Sequence, residues 1–355
     1  MRSTRRLLQD HQLDCLLVSD AHNRRYLSGF TGSSGYLFVT AAEAVLATDF
    51  RYVEQAESQA PDFVIHRIGG RFDWLAGLLK DLGVERVGFE SDDLSVATLE
   101  AIKGALRGGK GHSPAPELLA TSDLVLGLRQ YKEPEELQLL EQASHIADRS
   151  FEAVASSVEP GMTEAMVAWE LERTMRELGA ESVSFDIIVG AGENGALPHH
   201  RAGERPIRRG DPVVIDMGCV YKGYCSDLSR TIFIGGPDDR FRRVYNTVLR
   251  AQLRAERDIR VDMTGEEADE LARAVIREAG HGEHFGHSLG HGVGLQVHEQ
   301  PWIGPRSPNV LRNGMVFTVE PGIYLSGWGG VRIEDMVVME DGRARVLSKA
   351  AKLEF

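Results

Sequence analysis

Short apolar runs mark the first third of the chain. Cys15-Leu16-Leu17-Val18, Tyr36-Leu37-Phe38-Val39 and Ala44-Val45-Leu46-Ala47 each have strand length, and Val87-Gly88-Phe89 adds another. Leu75 to Leu82 has helical character and stops at Gly83, a residue suited to the left-handed position after a helix. Gly29-Phe30-Thr31-Gly32-Ser33-Ser34-Gly35 predicts a flexible turn. Residues 1–125 therefore form an α/β unit. Gly104, Gly108, Gly109, Gly111, Pro114 and Pro116 predict a loop or linker after it.

The remainder, 126–355, is a second domain that opens with a long helix. Leu137, Leu140, Ala143, Ala147, Phe151 and Val154 fall on one stripe, with Pro134 in the first turn and Pro160-Gly161 beyond the end. Further helices are predicted over 163–178, ending at Gly179, over 239–258, and over 264–279. The last opens on the capping-box pattern Thr264-Gly265-Glu266-Glu267. Glycine-rich, strand-like segments lie between and after these helices.

Two of those segments carry acids where apolar residues are expected. Val213-Val214-Ile215-Asp216-Met217 is a buried-looking strand with a carboxylate in it, and a second strand from Tyr224 carries Asp227. A hairpin with its tip between Tyr221 and Lys222 would set 216 opposite 227 on one face. Near the C-terminus, Met315 to Glu320 and Val331 to Glu334 flank the turn Gly327-Trp328-Gly329-Gly330, and a tip at Gly327 opposes Glu320 and Glu334. Arg332 falls on the same face as Glu334. Buried like charges repel, so a cation between them is the economical explanation.

Histidines framed by glycine accompany the acids in Gly286-His287-Ser288-Leu289-Gly290-His291-Gly292, followed by His298-Glu299. His199-His200 sits in a separate loop. Four carboxylates and an imidazole make a mixed oxygen and nitrogen site for two divalent ions. His11, His22, His66, His112, His145, His281 and His284 are read as ordinary core or surface residues.

Composition narrows the function. A net charge of −13 argues against binding phosphate backbones, so nucleic acid is not an expected partner. Three cysteines, Cys15, Cys219 and Cys225, do not describe a disulfide framework and fit a reducing compartment. No apolar segment follows the basic N-terminus, and no run reaches membrane-spanning length, so a cytoplasmic protein is expected.

The motifs Asp216-Met217-Gly218 with Ser226-Asp227-Leu228-Ser229-Arg230-Thr231, Gly290-His291-Gly292-Val293-Gly294 with Val297-His298-Glu299, Val319-Glu320-Pro321-Gly322, and Val331-Arg332-Ile333-Glu334-Asp335 resemble the creatinase/methionine-aminopeptidase superfamily. More narrowly they resemble its Xaa-Pro peptidases, prolidase and aminopeptidase P. Asn23 to Gly32 is similar to the creatinase-type N-terminal domain.

The resemblance implies a creatinase-like N-terminal domain followed by a pita-bread catalytic domain of α/β (α+β) class. It implies a homodimer and two divalent ions, Mn²⁺ ahead of Zn²⁺ or Co²⁺, bridged by a hydroxide that cleaves Xaa-Pro dipeptides or longer Xaa-Pro peptides. Asp216 would chelate one ion, His291 and Glu320 the other, with Asp227 and Glu334 bridging. Glu320, His298 and His199 would be catalytic, with His287 and Arg332 as supports. Trp302 stands where many family dipeptidases place an arginine, leaving Arg306, Arg24 or Arg25 as alternative cations. A methionine-aminopeptidase-like activity and a non-catalytic binding protein remain open as alternatives.

Overall fold

The computed structural model describes residues 2–108 and 115–354. The chain divides into two compact units, Met1–Arg129 and Gln130–Phe355.

The first unit is built on a six-stranded mixed sheet in the order Val64–Ile68, Ala44–Asp49, Tyr36–Thr40, Cys15–Val18, Arg86–Glu90, Glu117–Thr121. Both faces of this sheet are covered. Cys15 and Leu17 join one apolar cluster with Leu75, Leu79 and Ile102, while Leu16 and Val18 join another with Leu8, Phe30 and Val125. Two-sided burial is why these strands read as unbroken apolar runs.

Several elements here escaped the sequence pattern. Arg2–Asp10 is a helix, and so is Ala21–Ser28, capped by the Asp20 side chain and ended by Gly29 at φ 78°. The expected linker begins inside a helix, Val96–Gly108. Its Gly109, Gly111 and Pro114 lie outside the described residues. The first compact unit runs to Arg129. The reason is the helix Leu124–Arg129: Val125 is in the core of the first unit, and Arg129 Nη1 donates to Asn23 Oδ1 at 2.9 Å.

The second unit packs helices onto strands twice. Pro134–Ala155 and Glu164–Glu177 share a core with the strands Ile188–Ala191, Pro212–Met217 and Leu228–Phe233. Asp239–Asp258 and Gly265–Glu278 share another with a five-stranded sheet that includes Gly290–Gly292, Val316–Val319 and Asp335–Glu340. The expected caps are present: Pro134 is in the first turn, and Thr264 and Glu267 form a capping box. All three cysteines are free and buried.

Strand alternation then places the acids. Val213, Ile215 and Met217 point into one core, and Val319, Val331 and Ile333 into the other. Asp216, Glu320, Arg332 and Glu334 have the opposite parity and face away from the helices. Burying a side chain such as Ile215 contributes about 1.5–3 kcal/mol, so the register that exposes the acids to one another is strongly held.

Candidate active site

The two hairpins deliver their acids differently. In the C-terminal one, Gly322 pairs with Arg332 and Leu325 with Gly329, while Val319 pairs with Asp335 in the neighbouring sheet. Extending either ladder sets Glu320 opposite Glu334, the expected register with its tip at Gly327.

The first hairpin departs from expectation. Tyr221 pairs with Tyr224, so the tip is Lys222-Gly223, one position later than expected, with φ of 47° and 83°. A two-residue turn with both φ positive matches the strand twist, and glycine accepts that backbone at no steric cost. Asp216 consequently pairs with Ser229, not with Asp227. The shift is two residues, an even number, so Asp227 keeps the face of Asp216.

Asp227, His291 and Glu334 converge, each offering one ligand atom within 4.8 Å of the others. His291 Nε2 lies 3.6 Å from Asp227 Oδ2 and 3.3 Å from Glu320 Oε1. Its Nδ1 lies 3.1 Å from the Gly292 carbonyl, the partner that makes Nδ1 the protonated nitrogen. Burial draws the His291 pKa down to about 4, so the ring is neutral and Nε2 turns a lone pair toward carboxylate oxygens. Acceptors facing acceptors at this range call for a shared proton or a metal ion between them.

The acids give the same message. Burial, followed by the charges of Glu334, Asp216 and Glu320, holds Asp227 well above its ordinary pKa. Burial, then Glu320 and Asp216, does the same to Glu334. Burial pushes Glu320 up to about 8, against the pull of Arg332. Asp216 stands apart from the tight triad. Its Oδ2 accepts from Arg332 Nη2 at 2.5 Å, and its buried Oδ1 has no hydrogen-bond partner. An orphaned carboxylate oxygen, three destabilised acids and an imidazole lone pair fit divalent metal ions.

Residues not singled out in the sequence hold these groups in place. Ser229 Oγ donates to Glu334 Oε2 at 2.8 Å and accepts from Arg332 Nε at 2.8 Å. Thr318 Oγ1 donates to Glu320 Oε1 and accepts the His291 amide, each at 3.1 Å. Arg332 Nη1 donates to the Tyr324 hydroxyl at 2.9 Å, which lies 2.9 Å from His287 Nε2. His287 Nδ1 sits 2.8 Å from the Ser288 carbonyl, so Nε2 accepts the Tyr324 proton. Tyr324 is the support most easily missed. Its signal is its parity with Gly322 in the strand Gly322–Leu325 and with Glu320 just before it. A Cβ on Gly322 would sit 2.6 Å from the Tyr324 hydroxyl, so glycine leaves that hydroxyl its place. Gly290 works likewise: a Cβ there would run into the Thr318 carbonyl.

Asp216, Asp227, His291, Glu320, Arg332 and Glu334 line a cavity of about 360 Å³. Its wall includes His199 and His298, both exposed, His287, and the apolar surfaces of Phe185, Ile188 and Trp302. Trp302 pairs with His291 across two strands, and the His298 ring packs 4.2 Å from that of His291. Arg201 also lines the cavity, whereas Arg306 is not part of its wall.

Residues 138–341 match metallopeptidase family M24, and residues 1–130 match the creatinase/prolidase N-terminal domain. The Xaa-Pro dipeptidase of Pyrococcus furiosus is 37% identical over 348 residues, covering 98% of this chain and 97% of that protein. The structure of an Xaa-Pro dipeptidase from Bacillus anthracis matches with a TM-score of 0.95 at 44% identity, covering 99% of this chain and 97% of that one. The X-Pro aminopeptidase from Thermotoga maritima matches with a TM-score of 0.91 at 38% identity, covering 99% of both. The chain belongs to metallopeptidase family M24, in its Xaa-Pro dipeptidase/prolidase group.

Proposed function

We propose that this protein hydrolyses the bond between an N-terminal residue and a following proline in small peptides, using two divalent metal ions. The observation that carries the proposal is the convergence of Asp227, His291 and Glu334, with Glu320 beside them, where buried acceptors face one another and stay raised in pKa in spite of the guanidinium of Arg332. In this reading Asp216 holds one ion, His291 and Glu320 the other, and Asp227 and Glu334 lie between them. When bound, the ions supply an activated water and a Lewis acid for the scissile carbonyl. An oxygen-rich set with one imidazole favours manganese, with zinc and cobalt as substitutes.

The remaining steps belong to the chain's own side chains. Glu320 takes a proton and delivers it to the departing proline nitrogen. Partial burial draws the His298 pKa down, so its ring is neutral and keeps one N–H to donate to the developing oxyanion. His199 orients the substrate, and Phe185, Ile188 and Trp302 offer apolar surface to the proline ring. Arg332 holds Asp216 while Tyr324 and His287 hold Arg332. A homodimer is part of the same proposal and is read by light scattering.

The test loads the protein with Mn²⁺ and compares Ala-Pro, Ala-Pro-Ala and Ala-Ala-Ala, each beside a chelated control. Metal-dependent cleavage of the proline peptides is expected. Cleavage of Ala-Ala-Ala alone, or of none, would overturn the proposal.

A further inference from the structure

Arg201 sits in a loop that is held on both sides. Glu164, the first residue of its helix, is fully buried. Its carboxylate accepts from the Ala191 amide and Asn194 Nδ2 at 2.9 Å each, from His200 Nε2 at 2.8 Å and from the Gly203 amide at 3.3 Å. The Gly203 carbonyl in turn accepts from the Ala165 amide at 2.9 Å, and the Pro198 carbonyl accepts from Arg332 Nη1 at 3.3 Å. Positions 198, 200 and 203 are thus anchored, and Arg201 is presented from a fixed backbone with little further ordering to do on binding.

Two arginines line the cavity, and only one is committed. Arg332 bonds Asp216, Ser229, Tyr324 and the Pro198 carbonyl. Arg201 is exposed, and among the described residues no carboxylate lies within ion-pairing distance of it. The cavity therefore combines a converged group of acids with one uncommitted guanidinium. A dipeptide carries complementary charges, an ammonium at one end and a carboxylate at the other. Its ammonium suits the acid and metal side, and its carboxylate suits a guanidinium, which binds it through paired hydrogen bonds.

We propose that Arg201 binds the terminal carboxylate of an Xaa-Pro dipeptide and is the residue that favours dipeptides in this cavity. The role rests on the peptidase reading above. Trp302, on the same wall, carries no charge and leaves this task to Arg201.

The experiment measures kcat and KM of the Mn²⁺-loaded protein and of its Arg201→Met and Arg201→Lys variants on Ala-Pro, Ala-Pro-amide and Ala-Pro-Ala. A lost charge-assisted contact predicts a rise of about 10- to 100-fold in KM for Ala-Pro in Arg201→Met, with kcat little changed. Ala-Pro-amide lacks the carboxylate, so its KM should not respond, and Arg201→Lys should restore part of the Ala-Pro affinity. An unchanged Ala-Pro KM, or an equal rise on the amide, would overturn the role of Arg201 while leaving the peptidase reading intact. Failure of the unmodified protein to cleave any of the three would refute the peptidase reading and this role with it.

Discussion

Glu334 and Asp335 are adjacent in sequence and each is 1% exposed, yet they are opposite in kind. Glu334 faces other acids, and burial and those neighbours hold it well above its ordinary pKa despite Arg332 and the Ser229 hydroxyl. Asp335 points the other way, toward the helix Asp239–Asp258. Its Oδ1 accepts from Arg230 Nη2 at 2.7 Å, and its Oδ2 from Lys352 Nζ at 2.5 Å and Gln252 Nε2 at 3.1 Å. Burial pushes the Asp335 carboxyl up, but Arg230 and Lys352 outweigh it and hold the pKa below the ordinary value. On one side Asp335 shares Arg230 and Lys352 with the buried Glu256, whose carboxyl burial and Asp335 push up to about 8, and on the other four acids share Arg332. Burial alone marks neither as functional. The ratio of acids to counter-charges does.

The sharpest way to break this comparison is to neutralise an acid on the open face. Asp227→Asn or Glu320→Gln is expected to lower metal-dependent turnover by roughly a thousandfold or more, since each removes a proposed ligand. The metal-free melting temperature should hold or rise, because a buried repulsion is relieved. Ordinary activity in either variant would contradict the ligand assignment.

Neutralising the closed face should do the reverse. Asp335→Asn leaves Arg230 without its carboxylate while Lys352 keeps Glu256 at 3.4 Å, and breaking a buried pair of the Arg230–Asp335 kind costs about 3–5 kcal/mol. Urea unfolding of the metal-free protein reads this loss, and a change under about 1 kcal/mol would mean the network matters little.

Metal binding should then stabilise through the open face only. At an ion concentration a hundred times Kd, the gain is about 2.7 kcal/mol, visible as a raised melting temperature. Asp227→Asn should show little of that gain, while conservative changes around Asp335 should keep it.

The smallest effect is on pH dependence. The folded pKa of Glu320 is raised from 4.5 to about 8. Its contribution to metal-free stability is therefore fully present below about pH 4.5 and is lost as pH rises through about 8. Asp335, whose folded pKa is lowered, contributes above about pH 3.8 and is lost only as pH falls below that. Glu256 is also pushed up to about 8, by burial and Asp335, so melting curves of the metal-free protein between pH 5 and 8 should slope downward and saturating metal should remove the Glu320 part of the slope. A flat metal-free profile would show that Glu320 is not destabilised.

What the sequence determined by itself was largely local and periodic. Capping residues and glycine stops marked the long helices of the second unit, because helix ends are settled by side chains within a few residues. Apolar runs marked the central strands, and motif order carried the family resemblance. Strand parity identified which acids share a face, since alternation survives any even shift in register. Parity could not distinguish the 216–227 pairing from the 216–229 pairing, because that depends on which two residues take positive φ at Lys222-Gly223. Tertiary structure alone decided what each acid meets. Tyr324, Ser229, Thr318 and Glu164 act through partners up to 105 residues away, as in the Ser229–Glu334 hydrogen bond. It also decided the cavity wall, where Arg201 stands and Arg306 does not. Local propensity reports the shape of a segment, but the charge that balances a buried acid comes from wherever the fold brings a partner.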